Sequence, residues 1–324
     1  MHRSCLISLF PSCKFTLFVV VWFAYSTIAA LTPLHSTASS SAAPMRGPVD
    51  PSLVFRFRIL RTYPSDAEAF VQGLTFDNGT LLMSTGLWGR SAIRKVDYST
   101  GRILQRHDLS PDIFAEGIAV LGDHLFQLTY QNNVAYVYDK ATFERIATLN
   151  YPSDLYEGWG LAADSKRNIL FISDGSEHIR IANTQFRVLS QIRVHDSAGR
   201  AVTGINELEF VSGELLANVY GSDCVLRISP VSGEVLGWIV AENLYPDNPD
   251  QGLNVFNGLA FDETTGKLLV SGLLLFLRKV ISRMNEKCCV CVCMYVSGHR
   301  QNVAPRVRSH DGTSERPTGL FGNV

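Results

Sequence analysis

The fold is decided by the stretch from residue 117 to residue 139, GIAVLGDHLFQLTYQNNVAYVYD. A short apolar run at its start ends in a turn at Gly122 and Asp123, and a second apolar run follows from Leu125 to Thr129. A third apolar segment covers Ala135 to Asp139. Short apolar runs separated by turn residues predict antiparallel strands. The stretch is therefore typical of three neighbouring strands of a small sheet.

The same pattern occurs five times in the middle of the chain. The repeats begin at Gly73-Leu74-Thr75-Phe76, Gly117-Ile118-Ala119-Val120, Gly160-Leu161-Ala162-Ala163, Glu207-Leu208-Glu209-Phe210 and Gly258-Leu259-Ala260-Phe261. Their first residues are 44, 43, 47 and 51 positions apart, and no long helical periodicity occurs from residue 50 to residue 272. A four-stranded repeat of about 45 residues is the module of a β-propeller blade.

We therefore predict an all-β fold, a five-bladed β-propeller, over residues 50–272. The segment Val54–Ile59 alternates apolar and basic residues. We expect it to form the outer strand of the last blade, because a blade closed in this way leaves no exposed edge. A β-sandwich or a solenoid built from the same strands is the alternative.

Charge divides the chain into three parts. The 324 residues carry a formal net charge of −1, but residues 50–272 contain 18 basic and 27 acidic groups. Residues 1–49 and 273–324 are both basic. A general nucleic-acid binder needs a strong basic excess, so we expect no nucleic-acid partner.

The first 49 residues resemble a secretory leader followed by a linker. Basic Arg3 and Lys14 precede an apolar run from Phe15 to Leu31, which contains small residues near its end. Its 17 residues are at the short limit for crossing a bilayer, so a cleaved signal peptide and a membrane anchor over residues 15–31 both fit. We expect the secretory pathway: the ER or Golgi lumen, a vacuole or the extracellular space.

Two further features bear on that compartment. Asn78-Gly79-Thr80 is an N-glycosylation sequon on a predicted hairpin turn, so Asn78 is a candidate glycosylation site. Of 7 cysteines only Cys224 lies in the middle domain, which is therefore not a disulfide scaffold.

The residues that enter the inner strands of such a propeller lie at one mouth of its central channel. Here they are aromatic, amide or carboxyl residues: Phe70 and Gln72, Phe114 and Glu116, Glu157 and Trp159, Asn206 and Glu207, and Phe256 and Asn257. An apolar pocket with a few polar groups is the usual composition of a small-ligand site.

These motifs resemble the glutamine cyclotransferase family, the plant and bacterial glutaminyl-peptide cyclotransferases. The matching stretches are Phe70-Val71-Gln72-Gly73-Leu74, Phe114-Ala115-Glu116-Gly117, Tyr156-Glu157-Gly158-Trp159-Gly160, Ile205-Asn206-Glu207-Leu208-Glu209 and Asn254-Val255-Phe256-Asn257-Gly258. The resemblance covers roughly Val54 to Gly272. It implies a propeller enzyme that converts the N-terminal Gln of peptides and proteins to pyroglutamate and releases ammonia, without a metal or an organic cofactor. We expect a monomer.

The resemblance also implies site residues. Glu116 matches the catalytic Glu of the family. The α-amine must lose a proton and the departing NH₂ must gain one, and a carboxyl whose pKa is raised by an apolar wall such as Phe114 can do both. Gln72 and Asn206 match site residues that orient the amide or stabilise the oxyanion. Either could instead connect one blade to the next.

The remaining substrate-binding candidates are aromatic: Phe70, Phe114, Tyr130, Trp159 and Tyr220. Tyr130 and Tyr220 stand where the family usually has Trp. Tyr keeps an aromatic ring at these positions and adds a hydroxyl. Trp159 could equally be a core residue. Glu207 and Glu209 are expected to be structural and to pair with basic side chains or backbone amides between blades.

After Gly272 the chain departs from the family pattern. The family continues with a segment whose Lys contributes to the site, whereas this chain has Leu273. We therefore predict an incomplete last blade, and we interpret residues 273–324 as a basic tail outside the family fold, derived from an intron or mis-splicing. Alternatively, Leu273–Ile281 fills the missing strand by its hydrophobicity. The four cysteines from Cys288 to Cys293 lack the spacing of a metal site.

Three functions remain open from the sequence. The first is the cyclotransferase, and the second is a catalytically impaired isoform that lacks the site Lys. The third is a non-catalytic propeller that binds a protein partner.

Overall fold

The computed structural model of the chain describes residues 53–56, 59–66, 68–222, 224–240 and 256–272, and the backbone of 275–281. These residues form strands and turns without a helix, so no helix in them could cross a membrane. The predicted leader and most of the predicted tail lie outside the described residues. The predicted domain boundary near residue 50 stays a prediction.

The strands form five sheets of at least four strands each. Two short strands, β1 (Val54–Arg56) and β2 (Ile59–Tyr63), precede the first repeat. The first sheet contains β3 (Val71–Asp77), β4 (Thr80–Thr85), β5 (Ala92–Asp97) and β6 (Arg102–Asp108). The second contains β7 (Ala115–Leu121), β8 (His124–Thr129), β9 (Val134–Asp139) and β10 (Arg145–Asn150).

The other three sheets follow the same antiparallel order. The third contains β11 (Leu161–Asp164), β12 (Ile169–Ser173), β13 (His178–Ala182) and β14 (Val188–Arg193). The fourth contains β15 (Ile205–Val211), β16 (Glu214–Val219), β17 (Cys224–Ile228) and β18 (Val235–Val240), with β1 at its outer edge. The fifth contains β19 (Phe256–Asp262), β20 (Lys267–Gly272) and β21 (Leu275–Ile281), with β2 at its outer edge.

Apolar side chains fill the spaces between neighbouring sheets. Phe171 of the third sheet and Leu215 of the fourth belong to one buried cluster. Leu74 of the first sheet and Leu269 of the fifth belong to another. Three similar clusters join the remaining neighbours, so the five sheets pack face to face in sequence order and the fifth meets the first. The arrangement resembles a propeller.

The repeated glycine of the motif allows the inner strands to come close together. A Cβ atom on Gly73 would lie 2.7 Å from the amide nitrogen of Ile118, and one on Gly117 would lie 2.6 Å from that of Leu161. Contacts this short exclude any side chain. The glycine therefore recurs because the inner strand of one sheet lies directly against the next sheet.

The predicted outer strand at Val54–Ile59 divides between two sheets. From Ile59 onward it pairs with β21 in the fifth sheet, as predicted. The prediction was wrong for Val54–Arg56, which pairs in parallel with β18. Gly237 of β18 explains the difference, because a Cβ atom there would lie 2.5 Å from the Phe55 ring, which occupies that space.

The prediction of an incomplete last blade was also wrong. β21 pairs with β20 on one side and with β2 on the other, which completes a four-stranded fifth sheet. The alternative, that Leu273–Ile281 supplies the strand, is correct for residues 275–281. Without this strand, β20 and β2 would each expose a row of unpaired backbone N–H and C=O groups. The backbone of residues 275–281 forms hydrogen bonds with both rows.

Cys224 at the start of β17 is buried and disulfide-bonded. The other six cysteines of the sequence lie outside the described residues. The middle domain thus contains no disulfide of its own, in agreement with its single cysteine.

Candidate functional site

A shift in strand register precedes the inner strand's regular pairing in four of the five sheets. The shifts lie between Val71 and Gly73, between Ala115 and Ile118, between Ile205 and Leu208, and between Phe256 and Leu259. Such bulges change the direction in which a side chain points. The residues within them include four polar site candidates: Gln72, Glu116, Asn206 and Asn257.

Three of these side chains form a continuous hydrogen-bonded chain. The Nε2 of Gln72 donates to Oε1 of Glu116 at 3.0 Å, and Nδ2 of Asn257 donates to Oε1 of Gln72 at 2.6 Å. Gln72, Glu116 and Asn257 are only 8%, 5% and 0% exposed. These hydrogen bonds connect the fifth sheet to the first and the first to the second, so the site is assembled from residues far apart in sequence.

The surroundings of Glu116 favour its neutral form. Burial raises the pKa of the Glu116 carboxyl well above its usual range, and the negative charge of Glu157 raises it further. The hydrogen bond from Gln72 lowers this pKa and only partly offsets the burial. A buried carboxyl with a raised pKa is the kind of group that can carry a proton in catalysis.

A wall of aromatic rings lies beside Gln72, the residue that bonds to Glu116. The Phe114 ring lies at the centre of this wall, with its centroid 6.1 Å from that of Phe70, 5.7 Å from Trp88 and 5.7 Å from Tyr130. Gly86 leaves room for the wall, because a Cβ atom there would lie 2.5 Å from the Phe114 ring. Trp88 was missed in the sequence because it lies outside the repeated motif.

Trp159 and Tyr220 form a second pair of rings. The Trp159 and Tyr220 ring centroids are 5.5 Å apart, and Tyr220 is 54% exposed. Gly175, at φ +81°, packs against Trp159, since a Cβ atom there would lie 2.7 Å from the indole. Trp159 is partly buried, so it forms a wall that still reaches the surface.

Glu157 connects the two aromatic groups. Its carboxylate accepts hydrogen bonds from Nε1 of Trp159 at 3.1 Å and from Nε2 of Gln131 at 2.7 Å. It also bonds to Tyr130, whose pKa is raised to about 12, first by burial and then by the Glu157 charge. Sequence reasoning placed Glu157 at the mouth but gave it no role, because a carboxylate that bonds to ring donors has no spacing signature.

Asn206 does not join the hydrogen-bonded chain. Its side chain is buried, and its backbone carbonyl accepts a hydrogen bond from Oγ of Ser173 at 2.6 Å. Within the described residues no hydrogen bond links its side-chain amide to Gln72 or Glu116. The structure therefore brings Gln72 to Glu116 directly and leaves Asn206 at the equivalent position of the fourth sheet.

Glu207 and Glu209 connect sheets, and the prediction of a structural role is confirmed. The two carboxylate oxygens of Glu207 accept the amides of Leu74 at 3.1 Å and Leu259 at 2.8 Å. Glu209 accepts the amide of Phe261 at 2.7 Å. Glu207 stands where the four other repeats have glycine, and its side chain spans the space between three inner strands.

Features away from the mouth were also predicted. Asn78 lies on an exposed hairpin turn with φ +48°, and its glycosylation stays a prediction. The described part of the chain contains no cluster of three or more metal-ligating side chains. A cavity of about 260 Å³ lies between the first and second sheets, next to Tyr136 and Tyr138, and does not include Glu116.

Comparison with known proteins identifies the group to which this chain is similar. The family model for glutamine cyclotransferase matches residues 28–275. The glutaminyl-peptide cyclotransferase of Arabidopsis thaliana is 36% identical over 218 residues, which cover 66% of this chain and 67% of that protein. The crystal structure of Myxococcus xanthus glutaminyl cyclase aligns with a TM-score of 0.63 and 28% identity, over 75% of this chain and 98% of the other. The chain therefore belongs to the glutamine cyclotransferase family.

Proposed function

We propose that this protein is a glutaminyl-peptide cyclotransferase, an acyltransferase that converts the N-terminal Gln of peptides and proteins to pyroglutamate and ammonia. The observation that carries the proposal is the buried Glu116 carboxyl, which accepts a hydrogen bond from Gln72, in a member of this family. A carboxyl in this environment has the properties that a proton shuttle needs.

In the proposed reaction the α-amine nitrogen of the substrate attacks its own side-chain amide carbon. A bond forms between these two atoms, and the bond from that carbon to the amide nitrogen breaks. Glu116 takes the proton that the α-amine loses and delivers a proton to the departing nitrogen, which leaves as ammonia. Its carboxyl returns to its starting state, so one residue serves both transfers.

Polar groups at the mouth are proposed to orient the substrate amide. The oxyanion that develops on the attacked carbonyl needs a fixed hydrogen-bond donor. Asn206 is the candidate donor, because its side chain is buried and, among the described residues, its amide has no hydrogen bond to Gln72 or Glu116. Gln72 holds Glu116 through the hydrogen bond that its Nε2 donates.

The aromatic residues are proposed to pack against the substrate and exclude water. Phe70, Phe114 and Tyr130 form the wall next to Glu116, and Trp159 and Tyr220 form the second pair. Removing water strengthens the electrostatic interactions within the site and stabilises the reacting geometry.

We also propose that the five sheets are the blades of a five-bladed β-propeller. The buried clusters between successive sheets, including the one between the fifth sheet and the first, support this proposal. The order of charge and hydrophobicity in the leader supports a location in the secretory pathway, either free or anchored through residues 15–31. We further propose a monomer.

A catalytically impaired isoform is the second candidate. Leu273 occupies the place where the family has its site Lys, and this position lies outside the described residues. Leu cannot supply the positive charge that would stabilise the transition state.

The test is incubation of the full chain with a Gln-Phe-amide dipeptide. We expect equal amounts of ammonia and pyroglutamyl product, and no reaction of the N-acetylated dipeptide, which lacks the attacking amine. A folded protein without turnover would contradict the proposed activity and support the impaired isoform.

A further inference from the structure

We propose that Asn257 is a positioning residue: by fixing the side-chain amide of Gln72, it keeps Oε1 of Glu116 as a hydrogen-bond acceptor and leaves Oε2 to carry the proton that moves. The inference rests on the proposed role of Glu116. It concerns a residue whose hydrogen bonds, among the described residues, go to Val71 and Gln72 and not to Glu116.

The backbone fixes the orientation of Asn257. Its Nδ2 donates to the carbonyl oxygen of Val71 at 3.3 Å as well as to Oε1 of Gln72 at 2.6 Å. A flipped Asn257 amide would place its own oxygen against these two oxygens, which cannot donate. Among the described residues, the buried Oδ1 of Asn257 has no hydrogen-bond partner, so the hydrogen bonds that hold this side chain there are those of its nitrogen.

Asn257 in turn fixes the orientation of Gln72. A Gln amide has an oxygen that only accepts and a nitrogen that only donates. Because Asn257 donates to Oε1 of Gln72, that oxygen points toward the fifth sheet and Nε2 points toward Glu116. Gln72 therefore always presents a donor to the carboxyl.

This donor determines where the proton of Glu116 lies. The carbonyl oxygen of a protonated carboxyl is its better acceptor, so the oxygen that Gln72 contacts is the unprotonated one. Gln72 contacts Oε1 at 3.0 Å, and no described group bonds to Oε2. The transferable proton consequently resides on Oε2.

The other titratable groups that face Glu116 do not supply this control. They are Glu157, Tyr130 and Tyr151. The Tyr151 hydroxyl donates to the Thr129 carbonyl at 2.7 Å and accepts from the Thr129 amide at 2.8 Å. Glu157 bonds to Trp159 and Gln131.

The test replaces Asn257 with Leu, which has a similar shape and no polar atoms. The freed Gln72 amide can then turn its oxygen toward Glu116 and trap the proton between the two residues. We expect kcat to fall about tenfold with little change in KM, and the pKa of Glu116 to rise by about one unit. Asn218→Leu is the matched control, because Asn218 is also fully buried and its side-chain amide has no hydrogen-bond partner in the part of the chain that the structure describes.

A double-mutant cycle shows whether Asn257 acts through Gln72. In a Gln72→Met background, we expect Asn257→Leu to change kcat less than twofold. An equal loss of kcat in both backgrounds would overturn the proposal. If the Leu variant does not fold, Asn257→Ser serves the same test, because its hydroxyl is too short to reach Gln72.

A titration separates this inference from the proposed function. Carbon-13 NMR of Glu-labelled protein, with Glu116→Gln for assignment, follows the Glu116 carboxyl without any turnover. Absence of turnover in the unmodified chain would contradict the proposed function alone. An unchanged Glu116 titration in the Asn257 variant, with wild-type turnover intact, would contradict the positioning role alone.

Discussion

At the residue scale, the chemistry depends on how Glu116 is surrounded rather than on its being a glutamate. The repeated motif predicted that Gln72, Glu116 and Asn206 lie at one mouth, since each comes directly before the first residue of a repeat. The motif could not reveal that Gln72 bonds to Glu116 while Asn206 does not, because that depends on side-chain geometry across sheets. Asn257 was visible at the same motif position, but its link to Gln72 appears only in three dimensions.

The charge of Glu157 provides a test at this scale. Glu157→Gln removes a negative charge that raises the pKa of Glu116, so that pKa should fall toward its usual range. The acidic limb of the pH profile of kcat/KM should shift to lower pH with it. Glu144→Gln, at an exposed position directly before β10, is the control. An unchanged or higher Glu116 pKa in the Glu157 variant would contradict the assigned interaction.

At the element scale, the strands of the five repeats could be predicted well, and the strands at the seam could not. Turn residues and alternating apolar runs mark each inner hairpin, whereas Val54–Arg56 and Leu275–Ile281 carry no repeat motif. β1 joins the fourth sheet because Gly237 leaves space for Phe55. β21 was expected only as the alternative, because its sequence does not match the segment that the family has after Gly272. Its hydrophobicity is nevertheless that of a strand.

The carboxyl of Glu209 links two sheets and makes their packing depend on pH. Its pKa is raised to about 8, mainly by burial, against about 4.3 in an unfolded chain. Between these values the folded state keeps a proton that the unfolded chain loses, so the free energy of unfolding falls as pH rises. The slope is at most about 1.4 kcal/mol per pH unit, and the partial exposure of the side chain reduces it.

Glu209→Gln should remove this slope, because Gln keeps an acceptor for the Phe261 amide and does not titrate. Urea unfolding at several values from pH 4 to pH 8 measures it, with Glu144→Gln as the exposed control. Parallel stability curves for the Glu209 variant and the wild type would show that Glu209 titrates normally.

At the scale of the whole molecule, the chain has to bring its two ends together. β2 near the start pairs with β21, more than 200 residues later, and this pairing completes the fifth sheet. The leader, the acidic middle and the basic end were separable from the sequence by charge. The junction between middle and end was misplaced, because the family pattern stops at Gly272 while the sheet continues to Ile281.

Truncation tests this closure. A chain that ends at Gly272 should lose solubility or unfold at lower temperature, because β20 and β2 then both expose unpaired edges. A chain that ends at residue 285 keeps β21 and should melt near the temperature of the full chain. Equal melting temperatures for the two truncations would contradict the assigned role of β21.

The central claim is that the Glu116 carboxyl carries protons during cyclisation of an N-terminal Gln. The most direct measurement is kcat for a Gln-Phe-amide dipeptide with the wild type and with Glu116→Gln, after circular dichroism has shown that both are folded. Loss of a general acid–base group predicts a fall of about 10²–10⁴-fold in the variant. A variant that turns over the dipeptide as fast as the wild type would contradict the claim.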